Sequence, residues 1–237
     1  MPPTPKLRDS GNDLLDRLPA DEFDALQPTL QRTSLTIKQV VHQSGVDLVH
    51  VYFPTTSLIS LLTVLRDDDP VEAATVGREG FVGLAASLGI MTSPDRAICQ
   101  MTGESLRVPV HSFLEAMEHG PGLTRLLHRY TAFSLRSAGQ SIACNSLHIV
   151  EARASRWLLR MHDQAGGDEF AMTQEFLAFM LGVRRQTVTV VAGTLQNAGL
   201  IRFRRGVMVI LDRPRLEEAA CECYATIRDY YEQYVVV

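Results

Sequence analysis

TQEFLAFMLGVRRQTVTVVAGTLQNAGLIRFRRGVMVIL, residues 173–211, is the stretch whose reading decides the fold. Thr173 can cap a helix through its hydroxyl, and Glu175 suits the positive end of that helix. Phe176, Leu177, Met180 and Leu181 then fall on one helical face. Gly182 permits a sharp turn. A second helix follows, turning Val188, Val191, Ala192 and Leu195 inward and leaving Arg184, Arg185, Gln186 and Thr189 at its exposed start. Gly199 stops it. Leu200–Phe203 and Val207–Leu211 read as a hairpin with Arg204, Arg205 and Gly206 at its tip. The order is helix, turn, helix, β-wing.

That order gives two arginine pairs a common partner. A recognition helix reads base edges with its amino-terminal residues while the preceding helix lies across the phosphates. Arginine donates bidentately to guanine, and glutamine pairs with adenine. Arginines at a wing tip reach backbone phosphates. The candidate DNA-binding set is therefore Thr173, Gln174, Arg184, Arg185, Gln186, Thr187, Thr189, Arg204 and Arg205, with double-stranded DNA as the partner.

The charge distribution agrees. The 237-residue chain has a net charge of −4, but the charge is segregated. Residues 1–150 carry 12 basic and 16 acidic side chains, residues 151–216 carry 10 and 6, and residues 217–237 carry 1 and 5. A polyanion responds to the local basic patch rather than to the whole-chain balance.

Upstream the pattern changes twice. Leu14, Leu15, Leu18, Phe23, Leu26 and Leu30 are spaced as in helices. From about residue 33 to 110 short strands alternate with turns: Val40–Val41, Val49–Pro54, Leu58–Leu65, Val71–Val76, Ala97–Met101 and Ser105–Val108, with a turn at Arg66–Pro70. This predicts a small barrel or jelly-roll. Over 121–148 the apolar residues again step by three and four. A helix of that length spans roughly 42 Å, long for a small domain. Leu123, Leu126, Tyr130 and Phe133 open its stripe and Leu135, Ala138, Ile142 and Ile149 continue it, with small Ser134 and Ser141 alongside. This points to a two-chain interface and a homodimer, with Leu123, Leu126, Tyr130, Phe133, Ala138 and Ile142 as its candidate contacts. A further helix carries Val150, Ala154, Trp157, Leu158 and Met161 and ends at Gly166–Gly167. The fold class is α+β, divided as β-roll sensor with amino-terminal helices (1–120), dimerisation helix (121–149) and winged helix-turn-helix (150–237).

These residues resemble the Crp/Fnr family of bacterial transcription regulators, over nearly the whole chain. Leu181–Val188 looks like the family's Gly-x-x-Arg-x-Thr-Val turn and recognition-helix start, and Asn197–Ile201 like its exit. The resemblance implies homodimers on palindromic promoter DNA under control of the β-roll, and leaves RNA polymerase open as a second partner. Arg185 matches the family's base-reading arginine. Gln186 stands where many members have glutamate, and Val190 where some have a second arginine, so a different operator is expected. Residues 80–97 resemble the phosphate-binding cassette of cyclic-nucleotide domains, making Gly83, Leu84, Arg96 and Ala97 the candidate effector pocket. Leu84 replaces the carboxylate that accepts the ribose hydroxyls, which argues against cyclic AMP and leaves another effector, or none, open.

Other classes find less support. A cupin-like enzyme needs His-x-His with a downstream glutamate and a third histidine, which His42, His50 and His111 do not supply. No nucleophile elbow or phosphate loop is present. A ligand-binding module acting on a protein partner leaves the arginine placement without a purpose. No cysteine precedes Cys99, which disfavours an amino-terminal iron–sulfur cluster, and no cofactor is expected. Cys99, Cys144, Cys221 and Cys223 show no zinc-finger spacing. Cys221 and Cys223 have no evident partner ligands nearby in the sequence, so no metal site is expected. The amino terminus lacks the apolar segment of a secretory signal, and a cytoplasmic location without membrane association is expected.

Overall fold

A computed structural model describes residues 9–64 and 70–236. The turn expected at Arg66–Asp69 lies outside the described residues. The chain forms two compact units, one of residues 9–64 and 74–131, the other of residues 70–73 and 132–236.

The first unit begins with a 3-10 turn at Leu15–Arg17 and helix α1 (Ala20–Leu26). Asn12 fixes this start: its Nδ2 donates to Pro54 O (2.8 Å) and Gly80 O (2.9 Å), and its Oδ1 accepts from Leu14 N and Leu15 N. The strands are β1 (Gln31–Leu35), β2 (Val40–His42), β3 (His50–Pro54), β4 (Leu58–Val64) and β5 (Pro70–Val76). A short helix α2 (Leu84–Ser87) precedes β6 (Arg96–Met101) and β7 (Gly103–Pro109). They make two sheets, of order β1-β7-β3 and β2-β6-β4-β5. Leu35 of the first sheet and Ile59, Val76, Ala97 and Cys99 of the second share one core cluster, so the sheets close over common apolar side chains as a β-sandwich. β1 and helix α3 (Val110–His119) lie outside the strand and helix spans read from the sequence.

Helix α4 (Pro121–Leu147) follows. Proline opens it where an amide would have no intrahelical partner. Glu22 caps it, accepting from Gly122 N (2.8 Å) and Leu123 N (2.7 Å), a carboxylate at the positive end of the helix.

The second unit comprises α5 (Val150–Ala165), β8 (Glu169–Ala171), α6 (Gln174–Leu181), α7 (Arg185–Asn197), β9 (Ile201–Arg204), β10 (Val207–Ile210), α8 (Arg213–Ala219) and α9 (Cys223–Tyr231). Its sheet has the order β8-β10-β9, so the hairpin read from the sequence gains a third strand. Arg213 ties three helices together, donating to Asp163 (2.8 Å), Tyr224 Oη (2.6 Å) and Glu217 (2.9 Å). No helix among the described residues is long and apolar enough to cross a membrane.

Candidate nucleic-acid interface

The α6–α7 corner forms as its residues dictate. Thr173 Oγ1 accepts from Phe176 N (3.1 Å) and caps α6. Gly182 ends α6 with φ 62°, the left-handed conformation that costs glycine least. Arg153 Nη2 donates to Leu181 O (2.6 Å), placing a cation on the carbonyls at the helix end. Val188, Val191, Ala192 and Leu195 bury one face of α7. The opposite face keeps Arg184, Arg185, Gln186 and Thr189 exposed, with Thr187 half-buried.

Besides the capping Thr173, three expected DNA-facing side chains are engaged within the chain. Thr189 Oγ1 donates to Gln174 Oε1 (3.0 Å), which pins α6 to α7. Arg185 Nη1 lies 2.9 Å from Glu175 Oε1, with both side chains largely exposed. Glu175 thus holds Arg185, the arginine expected to read a base, as well as complementing its helix. An exposed pair of this kind contributes about 0–1 kcal/mol, little enough for a guanine edge to displace it. Val190 is 66% exposed on the same helix, an apolar group suited to a thymine methyl.

At the wing, Arg205 has φ 53° and Gly206 φ 77°, the pair of positive values that a type I′ two-residue hairpin turn requires. Gly206 O accepts from Met172 N (2.8 Å), anchoring the turn beside the start of α6. Arg202, Arg204 and Arg205 line one shallow hollow with Glu169. Arg202 is an addition to the arginines expected at the wing. The alternation with Arg204, two residues on, is the signal that identifies it.

In the β-roll, Gly83 takes φ 113° and opens α2 at Leu84. A Cβ at Gly83 would come within 3.1 Å of Val51 Cγ2, so the turn is tied to β3. Arg96 opens β6 half-buried, and Ala97 packs into the same core cluster as Val82. Ala97 is therefore a core residue, 1% exposed, rather than a pocket wall.

The stripe expected to pair two chains divides. Leu123, Leu126, Tyr130 and Phe133 are buried within their own chain. Tyr130 packs at a tilt against Phe81 (ring centroids 5.3 Å) and covers Gly80; Phe133 meets Tyr231 edge-on (5.3 Å). These four are corrected from interface to core. Ala138 and Ile142 remain exposed, as does Leu135 of the same stripe.

A second correction concerns the cysteines. Cys221 and Cys223 do have partners: Cys144 and His148, one turn apart near the end of α4, bring all four ligand atoms within 4.8 Å of one another. The two pairs are separated by at least 73 positions of sequence, from His148 to Cys221, so no local spacing could reveal them. The Cys221 hydrogen bond, with help from His148 and the Arg156 charge, outweighs burial and pulls the Cys144 thiol down to about 4. The Cys144 hydrogen bond and burial push Cys221 up. Cys99 stands apart in the β-roll core, where burial pushes it up to about 11.

Residues 152–219 match the model of the Crp-like helix-turn-helix domain. No curated protein matches the chain. Solved structures do. FixK2 from Bradyrhizobium japonicum is similar with a TM-score of 0.70 at 19% identity, over 81% of this chain and 98% of that one. A CRP-family transcriptional regulator from Thermus thermophilus gives 0.66 at 21% identity, over 80% and 96%. CLP, the c-di-GMP responsive global regulator of Xanthomonas campestris, gives 0.65 at 16% identity, over 82% and 100%. At these identities the likeness is one of fold, with a β-sandwich followed by a helix-turn-helix.

Proposed function

We propose that the chain is a Crp/Fnr-type transcriptional regulator, a homodimer that grips a palindromic operator with its Crp-like helix-turn-helix domain. α7 lies in the major groove of each half-site. Arg185 leaves Glu175 to read a guanine, and Gln186 and Val190 read neighbouring bases. Arg202, Arg204 and Arg205 hold the flanking phosphates. The observation that carries this reading is the split of α7: one face is buried under the unit's own core, while its amino-terminal turn presents arginine, glutamine and threonine to solvent.

The second copy docks on the exposed half of α4, through Leu135, Ala138 and Ile142. These recur at helical spacing on a 27-residue helix, and they continue a stripe whose first half is already core. A two-fold axis there sets the recognition helices about 34 Å apart, one turn of B-DNA. The β-roll controls the spacing. Its effector is not expected to be cyclic AMP, because Leu84 has no oxygen to accept the ribose hydroxyls. The c-di-GMP response of CLP makes a different nucleotide worth testing.

The test is selection of bound fragments from random DNA, followed by anisotropy on the recovered sequence. A palindrome with half-site centres about ten base pairs apart is the expected result. Recovery of unrelated sequences, with affinity equal on scrambled DNA, overturns it.

A further inference from the structure

We propose that Cys144, His148, Cys221 and Cys223 form a tetrahedral structural zinc site, which ties the end of α4 to the α8–α9 junction within the second unit. The geometry points to one ion. Cys144 Sγ and Cys221 Sγ are 3.5 Å apart, as are Cys223 Sγ and His148 Nδ1. A tetrahedral zinc sets two thiolate sulfurs about 3.8 Å apart and a sulfur and an imidazole nitrogen about 3.5 Å apart, from bond lengths near 2.3 and 2.0 Å. All four ligand atoms lie within 4.8 Å of one another, so closing on one ion takes a contraction of about 1 Å at most. Iron–sulfur clusters place their thiolates on more than one iron and spread them more widely.

The surroundings match what a metal asks of its ligands. His148 turns Nδ1 to the sulfurs and Nε2 to Glu222 Oε2, 3.2 Å away. A carboxylate on the outer nitrogen fixes the tautomer and aims the inner lone pair at the ion. Gln140 Nε2 donates to Cys223 Sγ (3.1 Å). With the Arg156 charge near Cys144, it offsets the excess negative charge of three thiolates around a divalent cation. Ala152 packs over the three buried thiols. Binding sends the thiol protons to solvent and involves no electron transfer. Four protein ligands leave no open position, so the site is structural rather than catalytic. The competing use, a Cys144–Cys221 disulfide, needs the sulfurs at about 2.05 Å and leaves His148 and Cys223 without a part.

The experiment uses the full chain purified under reducing conditions without chelator. Elemental analysis should give about one zinc per chain. Cobalt added after zinc removal should show thiolate-to-cobalt charge-transfer absorption. Cys223→Ser and His148→Ala should lose the metal, while Cys99→Ser keeps it. Glu222→Gln should keep the stoichiometry but weaken zinc binding by roughly 10–100-fold. Background metal together with no cobalt–thiolate band in the wild-type chain overturns the proposal, whatever the variants do. So does intact mass showing a disulfide in a metal-free protein.

Discussion

Leu123, Leu126, Tyr130 and Phe133 in the first half of α4 are buried within their own chain, whereas Leu135, Ala138 and Ile142 in the second half stand in solvent. One helix carries both sets at the same spacing. Periodicity reports that a face is apolar, and nothing about what covers it. Phe133, 6% exposed, has Tyr231 against it; Leu135, two residues on, is 72% exposed. The first set belongs to folding, the second is the one proposed to serve assembly, and substitutions should separate them.

The largest effects come from charging each half. Leu135→Glu with Ile142→Glu should leave circular dichroism and the thermal midpoint nearly unchanged while light scattering falls from twice the chain mass to once. Operator affinity should drop by about 100-fold or more, since linked half-sites add roughly that much avidity. Phe133→Ala should do the reverse, costing about 3–5 kcal/mol of stability through the cavity it leaves while the folded fraction still dimerises. A double variant that stays dimeric would move the interface elsewhere.

Gly80→Ala probes the covered half from the other side. A Cβ there would lie 2.0 Å from Tyr130 Oη and 2.5 Å from Cζ, so the ring must be displaced. Overpacking of this kind costs about 1–3 kcal/mol, readable as a lower urea midpoint with DNA specificity unchanged.

The two arginine groups repeat the contrast on the DNA side. Arg185 is held by Glu175, whereas Arg204 and Arg205 project from the hairpin tip. Arg185→Ala should cost about 1–3 kcal/mol of discrimination at one base pair per half-site. Alanine at Arg204 and Arg205 should weaken binding to all sequences alike. It should also flatten the salt dependence by about 0.9 in log–log slope for each phosphate that is no longer neutralised. If the operator-to-scrambled ratio survives Arg185→Ala and collapses in the wing variants, reader and clamp are exchanged.

What the sequence made legible follows the range of the interactions involved. The α6–Gly182–α7 corner, the wing turn and the span of α4 depend on residues three or four apart, and they appear where the pattern puts them. β8 is three residues long, too short for alternation to register. α3 hides behind an apolar pattern continuous with β7. Glu22 capping α4 from 100 residues away, and Cys144 meeting Cys221, are tertiary facts with no local trace. The candidate effector residues show the limit within a recognised motif: Ala97 sits where the cassette pattern puts it, yet its side chain serves the core.

The smallest expected effect concerns another residue claimed by its own fold. His42 is buried on β2, its Nε2 2.9 Å from His50 O and its ring 5.5 Å from Tyr52. That nitrogen must donate, so its proton is already placed, and protonation would have to charge Nδ1 inside the roll. Burial lowers the pKa of His42, opposed by the His50 carbonyl and aided by the His50 charge. Burial and then Arg107 lower that of His50. Both imidazoles therefore bind a proton less readily folded than unfolded, where the ordinary value is about 6.5. Below that value the unfolded chain takes up more protons than the folded one, so stability falls with pH. It is fully present above about 6.5 and is lost as pH descends through the lowered folded values. The urea midpoint should decline from pH 7 toward pH 5, with hydrogen exchange rising first in β2 and β3. His42→Gln, which keeps a donor for the His50 carbonyl but cannot titrate, should flatten that decline. An unchanged slope in the variant would assign the pH dependence to groups outside this pair.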